Sequence, residues 1–138
     1  MTLKEIIQEL EEIATRQPNI HHIVKSGDIY DLNDTDIPYA AFCATQQTHT
    51  ENEGFRTYNL NLFYVDRLRD EQNDKIDIQS HSIEILDNIL NTFLENNYDV
   101  EITNRTFTTF TQKFLSLCAG AYVTISLSVP VDGCPELY

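Results

Sequence analysis

The chain has 138 residues, of which 41% are hydrophobic and 10% aromatic. This length and hydrophobic fraction are enough to build one packed core, and the aromatic content is higher than that of disordered segments. Nine Lys and Arg oppose 22 Asp and Glu, a formal charge of −13. That balance excludes proteins that grip nucleic-acid phosphates with a basic face, and it argues equally against binding to an anionic membrane.

The sequence predicts a single domain over residues 1–138, in which 131–138 form a turn-rich C-terminal extension. The opening residues lack the basic start and apolar run of a secretion signal, and no apolar run approaches the roughly 20 residues that cross a bilayer. Three widely spaced cysteines, Cys43, Cys118 and Cys134, make a poor disulfide framework and fit a reducing compartment.

The chain begins with a predicted helix. Thr2 and Glu5 have the spacing of a capping box, and an apolar stripe then recurs at helical spacing until about Arg16. Residues 20–30 have β-like composition around Ser26-Gly27-Asp28, which indicates a hairpin or a bend between strands.

Further on, polar and apolar segments alternate. We expect a polar loop at 31–36, a buried strand at 37–45 and a polar connection at 46–54. Pro38 fits only the beginning or the edge of such a strand.

The centre of the chain carries the strongest pattern. From Phe55 to Val65 alternate residues fall on two faces, which is typical of a half-buried strand. Residues 66–75 hold almost nothing that can be buried and predict an exposed connection. A helix of about three turns follows, packed on that strand through an apolar stripe. The stripe comprises Ile83, Leu86, Ile89, Leu90, Phe93 and Leu94.

Three strands are predicted after this helix. A short one covers 98–102, another begins at Phe107 and loosens towards Phe114, and the last runs from Ala121 to Val129 before Pro130 ends it. Because the strands come in runs with short connections, the fold class is α+β: a mainly antiparallel sheet covered on one face by two helices. The other face would then meet water or a neighbouring subunit.

The polar residues do not form a pattern typical of catalysis or metal binding. His21, His22, His49 and His81 lack the spacing that places ligands on one face, and the acidic run after residue 69 has the character of a solvated loop. Four glycines provide no phosphate-binding loop. We therefore expect no catalytic residue, no cofactor and no metal.

A family resemblance comes from two segments. The first is TYNLNLFYVDRLRDEQNDKIDIQSHSIEILDNIL, a Tyr-rich strand that ends at Val65-Asp66-Arg67-Leu68, followed by a polar insert and a helix opened by Ile78-Gln79-Ser80. The second is AGAYVTISLSVPVDGCPELY, a closing strand with a Pro- and Cys-containing tail. Together they resemble the small neck and tail-completion (tail-terminator-like) proteins of tailed bacteriophages, especially those of Bacteroides-type gut phages.

This resemblance implies a virion structural protein without enzymatic activity, made and assembled in the bacterial host cytoplasm. It implies a ring of six or twelve copies at the head-to-tail joint or the tail-tube end, next to portal, connector or tail-tube proteins. DNA would pass through the ring without specific binding, and an acidic lumen would suit that passage.

Rings need heterologous contacts, for which loops, tails and strand edges are the usual material. The candidate segments are 46–54, 66–75, 112–118 and 131–138. The contact residues we predict within them are Gln46, His49, Asp66, Arg67, Arg69, Asp70, Lys113, Phe114, Cys134 and Tyr138.

Two alternatives belong to other functional classes. The charge of −13 also suits a small acidic inhibitor that mimics DNA and blocks a nucleic-acid-binding protein. An enzyme with an unrecognised site would require a deep pocket with converging polar groups.

Overall fold

The computed structural model describes residues 1–25, 27–33, 38–52, 54–68, 74–113 and 117–130, with only the backbone described at 33, 52 and 113. Two α-helices, a 3-10 helix and five strands follow one another along these residues. In chain order they are α1 (Leu3–Thr15), β1 (His22–Val24), the 3-10 helix (Ile29–Asn33), β2 (Ala41–Asn52), β3 (Phe55–Arg67), α2 (Lys75–Glu95), β4 (Glu101–Lys113) and β5 (Leu117–Pro130).

The predicted capping box at the start of α1 is confirmed. The Thr2 hydroxyl accepts a hydrogen bond from the Glu5 backbone N–H at 3.2 Å, and the Glu5 carboxylate accepts one from the Thr2 N–H at 2.9 Å. These bonds to Thr2 hold the pKa of Glu5 below its ordinary value. Two N–H groups that the helix leaves free are thus satisfied, which fixes where α1 begins.

The strands form one five-stranded sheet in the order β1-β2-β3-β5-β4. Only β1 runs parallel to its neighbour; the other three pairings are antiparallel. The predicted fold class is confirmed: an α+β fold with a mixed, mostly antiparallel sheet on which two helices pack.

The main core lies between the sheet and the helices, on what we call the inner face. Alternate residues of β3 and β5 point into it, as the two-residue period of the sequence predicted. Both helices bury one stripe here. The fully buried side chains include Ile6, Leu10, Phe42, Leu60, Leu62, Leu86, Ile89, Leu90, Phe93, Val123 and Ile125.

The predicted hairpin or bend between strands at 20–30 is wrong where this segment is described. β1 has three residues and pairs in parallel with Ala41–Cys43 of β2. Residues expected as the second strand and as the start of a polar loop form the 3-10 helix instead, in which Ile29 and Leu32 are buried. Burial of these two side chains on the sheet provides a stabilisation that hairpin pairing would not.

The predicted polar connection at 46–54 is also wrong. β2 continues through Gln46 to Asn52 and pairs with β3 down to the Asn52–Phe55 position, with a register shift between Gln46 and Thr48. Thr side chains suit a pleated surface that faces water on one side, so a polar sequence does not exclude a strand here. The predicted strand at 37–45 likewise begins later, at Ala41.

The second half departs from prediction in the lengths of its elements. α2 has 21 residues, which is longer than the predicted three turns. The prediction was too short because the first half of the helix has fewer apolar positions. The two strands expected around 98–102 and from 107 onward are one strand, β4, of 13 residues. The exposed connection predicted at 66–75 is shortened at both ends, by Asp66 and Arg67 in β3 and by Lys75 in α2; residues 69–73 lie outside the described part of the chain.

Gly120 allows the two central strands to approach. A Cβ atom at this position would lie 2.0 Å from the Tyr64 carbonyl oxygen and 3.1 Å from the Val65 Cα. Both obstacles belong to the backbone of β3, which cannot rotate away as a side chain does. The pairing of β5 with β3 therefore requires glycine here.

Candidate interaction surface

The face of the sheet turned away from α1 and α2, the outer face, carries a row of hydrogen-bonded polar side chains. The Asn61 Oδ1 accepts from the Thr124 hydroxyl at 2.8 Å, and the Asn59 Oδ1 accepts from the Ser126 hydroxyl at 2.8 Å. Asn59 also donates to the Thr48 hydroxyl at 2.8 Å. These bonds satisfy polar groups across three strands and keep this half of the outer face in one arrangement.

The other half of the outer face is apolar. A second cluster is buried there beneath the 3-10 helix, separate from the main core. At its border the Arg67 guanidinium lies 5.2 Å from the centre of the Tyr39 ring, within the range of a cation–π contact. The buried members are Val24, Ile29, Leu32, Ala41, Cys43, Val65 and Cys118.

Beside this cluster three aromatic rings meet on the outer face. The ring centroids of Phe63 and Tyr122 are 5.0 Å apart, and Phe110 lies 6.2 Å from each of them. The rings border an open recess of about 160 Å³, with Tyr30 57% exposed at its rim. We call this the aromatic recess; it is lined by Ile29, Tyr30, Phe63, Phe110, Gln112 and Tyr122. No lining side chain carries a formal charge, so the recess suits an apolar group.

The recess opens next to the edge of the sheet formed by β4. Within the described residues β4 pairs on one side only, with β5. Its first part carries two features that discourage a further strand: the charged residues Glu101 and Arg105, and a register shift between Ile102 and Asn104. Residues 106–112 (TFTTFTQ) have no charge, no proline and no register shift. This second part, which we call the open edge, includes Phe110 and Gln112 of the recess.

Charge is distributed unevenly between this region and the rest of the chain. Residues 102–131 contain no Asp or Glu and hold two basic residues, Arg105 and Lys113. The remainder holds the other seven basic residues against all 22 acidic ones, a balance of −15. Apart from Glu101, the hairpin of β4 and β5 therefore carries none of the acidic side chains that dominate the rest of the chain.

Helix α2 fixes the position of β4. The buried side-chain amide of Gln79 donates to the Phe110 carbonyl at 3.1 Å. Farther along, Arg105 forms an ion pair with Asp87 and donates to the Asn91 side-chain oxygen at 3.0 Å. Contacts at both ends hold the edge strand against the helix, so the open edge is presented on a supported element.

Two thiols lie within the apolar half of the outer face. Burial raises the pKa of Cys43 to about 12, with further contributions from Asp28, Glu11 and Asp31. Burial also raises the pKa of Cys118, although a hydrogen bond from Tyr39 partly offsets it. At neutral pH both cysteines are protonated, packed side chains.

The structure places the predicted contact residues at separate parts of the sheet. Asp66 and Arg67 lie at the end of β3, where the Asp66 carboxylate accepts from the Arg67 N–H at 2.8 Å. The Lys113 backbone lies at the same end of the sheet, opposite Leu117. Gln46 and His49 lie farther along β2, opposite Leu60 and Tyr58. They therefore do not form one surface with the first group.

The remaining predicted contacts lie outside the described residues. These are Arg69, Asp70, Phe114, Cys134 and Tyr138, together with the extension 131–138.

The aromatic recess was not predicted from the sequence, although a signal for it existed. Phe63 and Tyr122 occupy positions that alternate with the apolar core residues of their strands, so each places an aromatic ring on an otherwise polar face. Nothing in the sequence shows that these two positions are direct partners, Phe63 opposite Tyr122. Tyr58 and Tyr64, by contrast, are buried in the inner core.

The described residues hold no group of three or more His, Cys, Asp or Glu side chains placed to bind a metal ion. In the described parts of α1 and α2, neither helix is sufficiently long and apolar to traverse a bilayer.

Comparison with known proteins gives no family assignment. A scan of the chain against protein-family models finds no match, and a search of curated proteins finds no similar sequence.

Proposed function

We propose that this protein is a structural assembly subunit that acts through contacts with copies of itself and with neighbouring proteins. The observation that carries the proposal is the open edge of β4 beside the aromatic recess. Unpaired strand edges are ready to pair with another chain, and folds that do not use them as a rule block them with charges, prolines or bulges. Residues 106–112 contain none of these.

In its specific form, the proposal is a ring at the head-to-tail joint or the tail-tube end of a tailed phage. It is supported by the resemblance of residues 57–90 and 119–138 to neck and tail-completion proteins. A ring of six or twelve copies closes through heterologous contacts, in which two different surfaces of each subunit meet. The portal, connector and tail-tube proteins would be its neighbours in the virion, and DNA would pass through the lumen.

The size of the purified protein tests the ring. Light scattering coupled to size exclusion, together with native mass spectrometry, should find six or twelve copies of the 15.9 kDa chain at high concentration or in the presence of neck proteins. Negative-stain images should show rings with a central opening. A protein that stays monomeric in both conditions, and is missing from purified particles, contradicts the ring.

The second candidate is an acidic DNA mimic, which the −15 balance outside residues 102–131 favours. A mimic should remain a monomer or dimer and bind a basic nucleic-acid-binding protein with an affinity that falls steeply as salt rises. The same size measurement, repeated with such a protein, separates the two functions.

A further inference from the structure

We propose that the open edge and the aromatic recess together form a binding site for an extended segment of another protein. The segment would pair with residues 106–112 as an additional strand and insert one aromatic or branched apolar side chain into the recess. This inference deepens the proposed function and rests on it, since it takes the edge of β4 to be an assembly surface and names what binds there.

The geometry joins the two parts of the site. In strand addition, main-chain hydrogen bonds supply affinity, and pockets for alternate side chains supply specificity. Phe110 and Gln112 belong both to the open edge and to the lining of the recess. A strand added beside β4 places every second side chain on the outer face, next to Phe110.

The size of the recess limits which side chain can enter. Its volume is about 160 Å³. An apolar cavity of about 150 Å³ holds a benzene molecule, so a phenyl or a branched aliphatic group fits here. The ring contacts among Phe63, Phe110 and Tyr122 offer the edges and faces that favour another aromatic group.

Charge determines the character of the rest of the segment. Residues 102–131 carry no acidic side chain, whereas the remainder of the chain has a balance of −15. An acidic segment approaching this molecule is repelled by that remainder, and a basic one is attracted. The partner segment should therefore lack Asp and Glu and gain from Lys or Arg at its ends.

The later part of β2, another stretch that is unpaired on one side among the described residues, does not match this description. β1 pairs with Ala41–Cys43 only, which leaves the later part of β2 without a partner on that side among the described residues. Residues 46–52 (QQTHTEN) contain no large apolar side chain and include Glu51. A second copy that pairs through this stretch would leave the recess empty, so the later part of β2 is not the segment. Pairing between the open edges of two copies would make a dimer, and a dimer joined in that way in the size measurement overturns the assignment to a different protein.

A designed nonapeptide serves as the probe: Phe at its centre, Thr at the three positions on either side, Lys at both ends, and blocked termini. Titrated into the intact ¹⁵N-labelled chain, it should shift the amide signals of residues 106–112 and of the residues that line the recess. Replacing the central Phe by Ala should weaken binding about tenfold, because a buried aromatic side chain is lost. Methylation of alternate backbone nitrogens should weaken it by at least as much.

Replacing both terminal Lys by Glu tests the charge argument. This peptide should bind about tenfold more weakly at low salt, and the difference should shrink to less than about twofold at about 0.5 M salt. Equal affinity of the two peptides at low salt contradicts the charge argument for the segment.

Two protein variants locate the site. Tyr30→Ser, at the exposed rim of the recess, should weaken peptide binding several-fold without changing the fold, and Phe110→Ala should weaken it about tenfold. Tyr98→Ala is the matched control, because Tyr98 is 97% exposed and does not line the recess. The dispersion of the amide spectrum checks that each variant is folded.

The results separate this inference from the ring. A monomeric protein that binds the peptide as described supports the segment site and contradicts the ring. A ring that shows no shift at residues 106–112, or that binds the Phe and Ala peptides equally, overturns the segment site and leaves the ring standing.

Discussion

On the inner face of the sheet, fully buried Leu, Ile, Val and Phe side chains meet two helices, whereas on the outer face hydrogen-bonded Asn, Ser and Thr lie beside a small aromatic group. The inner face is closed by elements of the same chain. The outer face and the β4 edge are only partly covered within the described residues. The buried core therefore lies on one side of the strands, and the surface that we propose for interaction lies on the other side and at the β4 edge.

The largest effect should come from the position where the central strands approach most closely. Gly120→Ala places a methyl group 2.0 Å from the Tyr64 carbonyl oxygen, and we expect the free energy of unfolding to fall by about 4 kcal/mol, above the usual cost of overpacking because the obstacle is backbone. Urea denaturation measures the loss. Gly54→Ala is the control: a methyl group there would have nothing within 4 Å, and the positive φ alone should cost about 1 kcal/mol.

Truncation on the inner face should have the next largest effect. Leu90 is fully buried between α2 and the sheet, so Leu90→Ala should lower the free energy of unfolding by about 3 kcal/mol through lost burial and the cavity left behind. Ile76→Ala on the same helix, where the side chain is 70% exposed, should change it by less than about 0.5 kcal/mol. Similar losses in both variants would show that α2 does not bury the stripe described here.

The polar row of the outer face predicts a smaller effect that can be reversed. Asn61→Ala removes the acceptor of the Thr124 hydroxyl and should cost about 2 kcal/mol in thermal or urea unfolding. The double variant Asn61→Val with Thr124→Val replaces both partners by apolar groups, and it should recover much of that loss. A double variant as unstable as Asn61→Ala alone would show that the loss does not come from leaving the Thr124 hydroxyl without its acceptor.

The smallest effect concerns pH. The pKa of Cys43 rises from 9.0 to about 12 on folding, so the unfolded chain releases this proton first. The contribution of the protonated Cys43 thiol to the free energy of unfolding is fully present below about pH 9 and declines as pH rises towards about 12. At about pH 10 the free energy of unfolding should have fallen by about 1 kcal/mol. Unfolding of a Cys134→Ser variant between about pH 8 and 10 should show this decline, and adding Cys43→Ala should reduce it. Equal slopes in the two variants would contradict the assignment to Cys43.

The sequence predicted the inner face better than the outer one, for a physical reason. Burial on one side imposes the two-residue period seen in Leu60, Leu62 and the residues of β5, so core positions can be read from one strand at a time. The capping box at Thr2 is equally local. These features were enough to predict the fold class.

Features of the outer face depend on the register between strands that are neighbours in the sheet but far apart in the sequence. Gln46 to Asn52 is polar enough to be predicted as a connection, and only its pairing with β3 makes it a strand. The contact between Phe63 and Tyr122 joins residues 59 positions apart in the chain. No pattern within one strand contains this information, which is why the recess could not be predicted. The contact residues Gln46, His49, Asp66 and Arg67 stay predictions, now placed at different parts of the sheet.

The pairing of β3 with β5 has a consequence for synthesis. Phe55 is opposite Pro130, so the first residue of β3 waits for 75 more residues before its partner in β5 is made. Until β5 leaves the ribosome, β3 has one bare edge, and the apolar residues of α2 lack the β5 side chains that share the core with them. Such long-range closure is slow and exposed to aggregation. A nascent chain that stalls before residue 117 is therefore the form of this protein that most needs a chaperone.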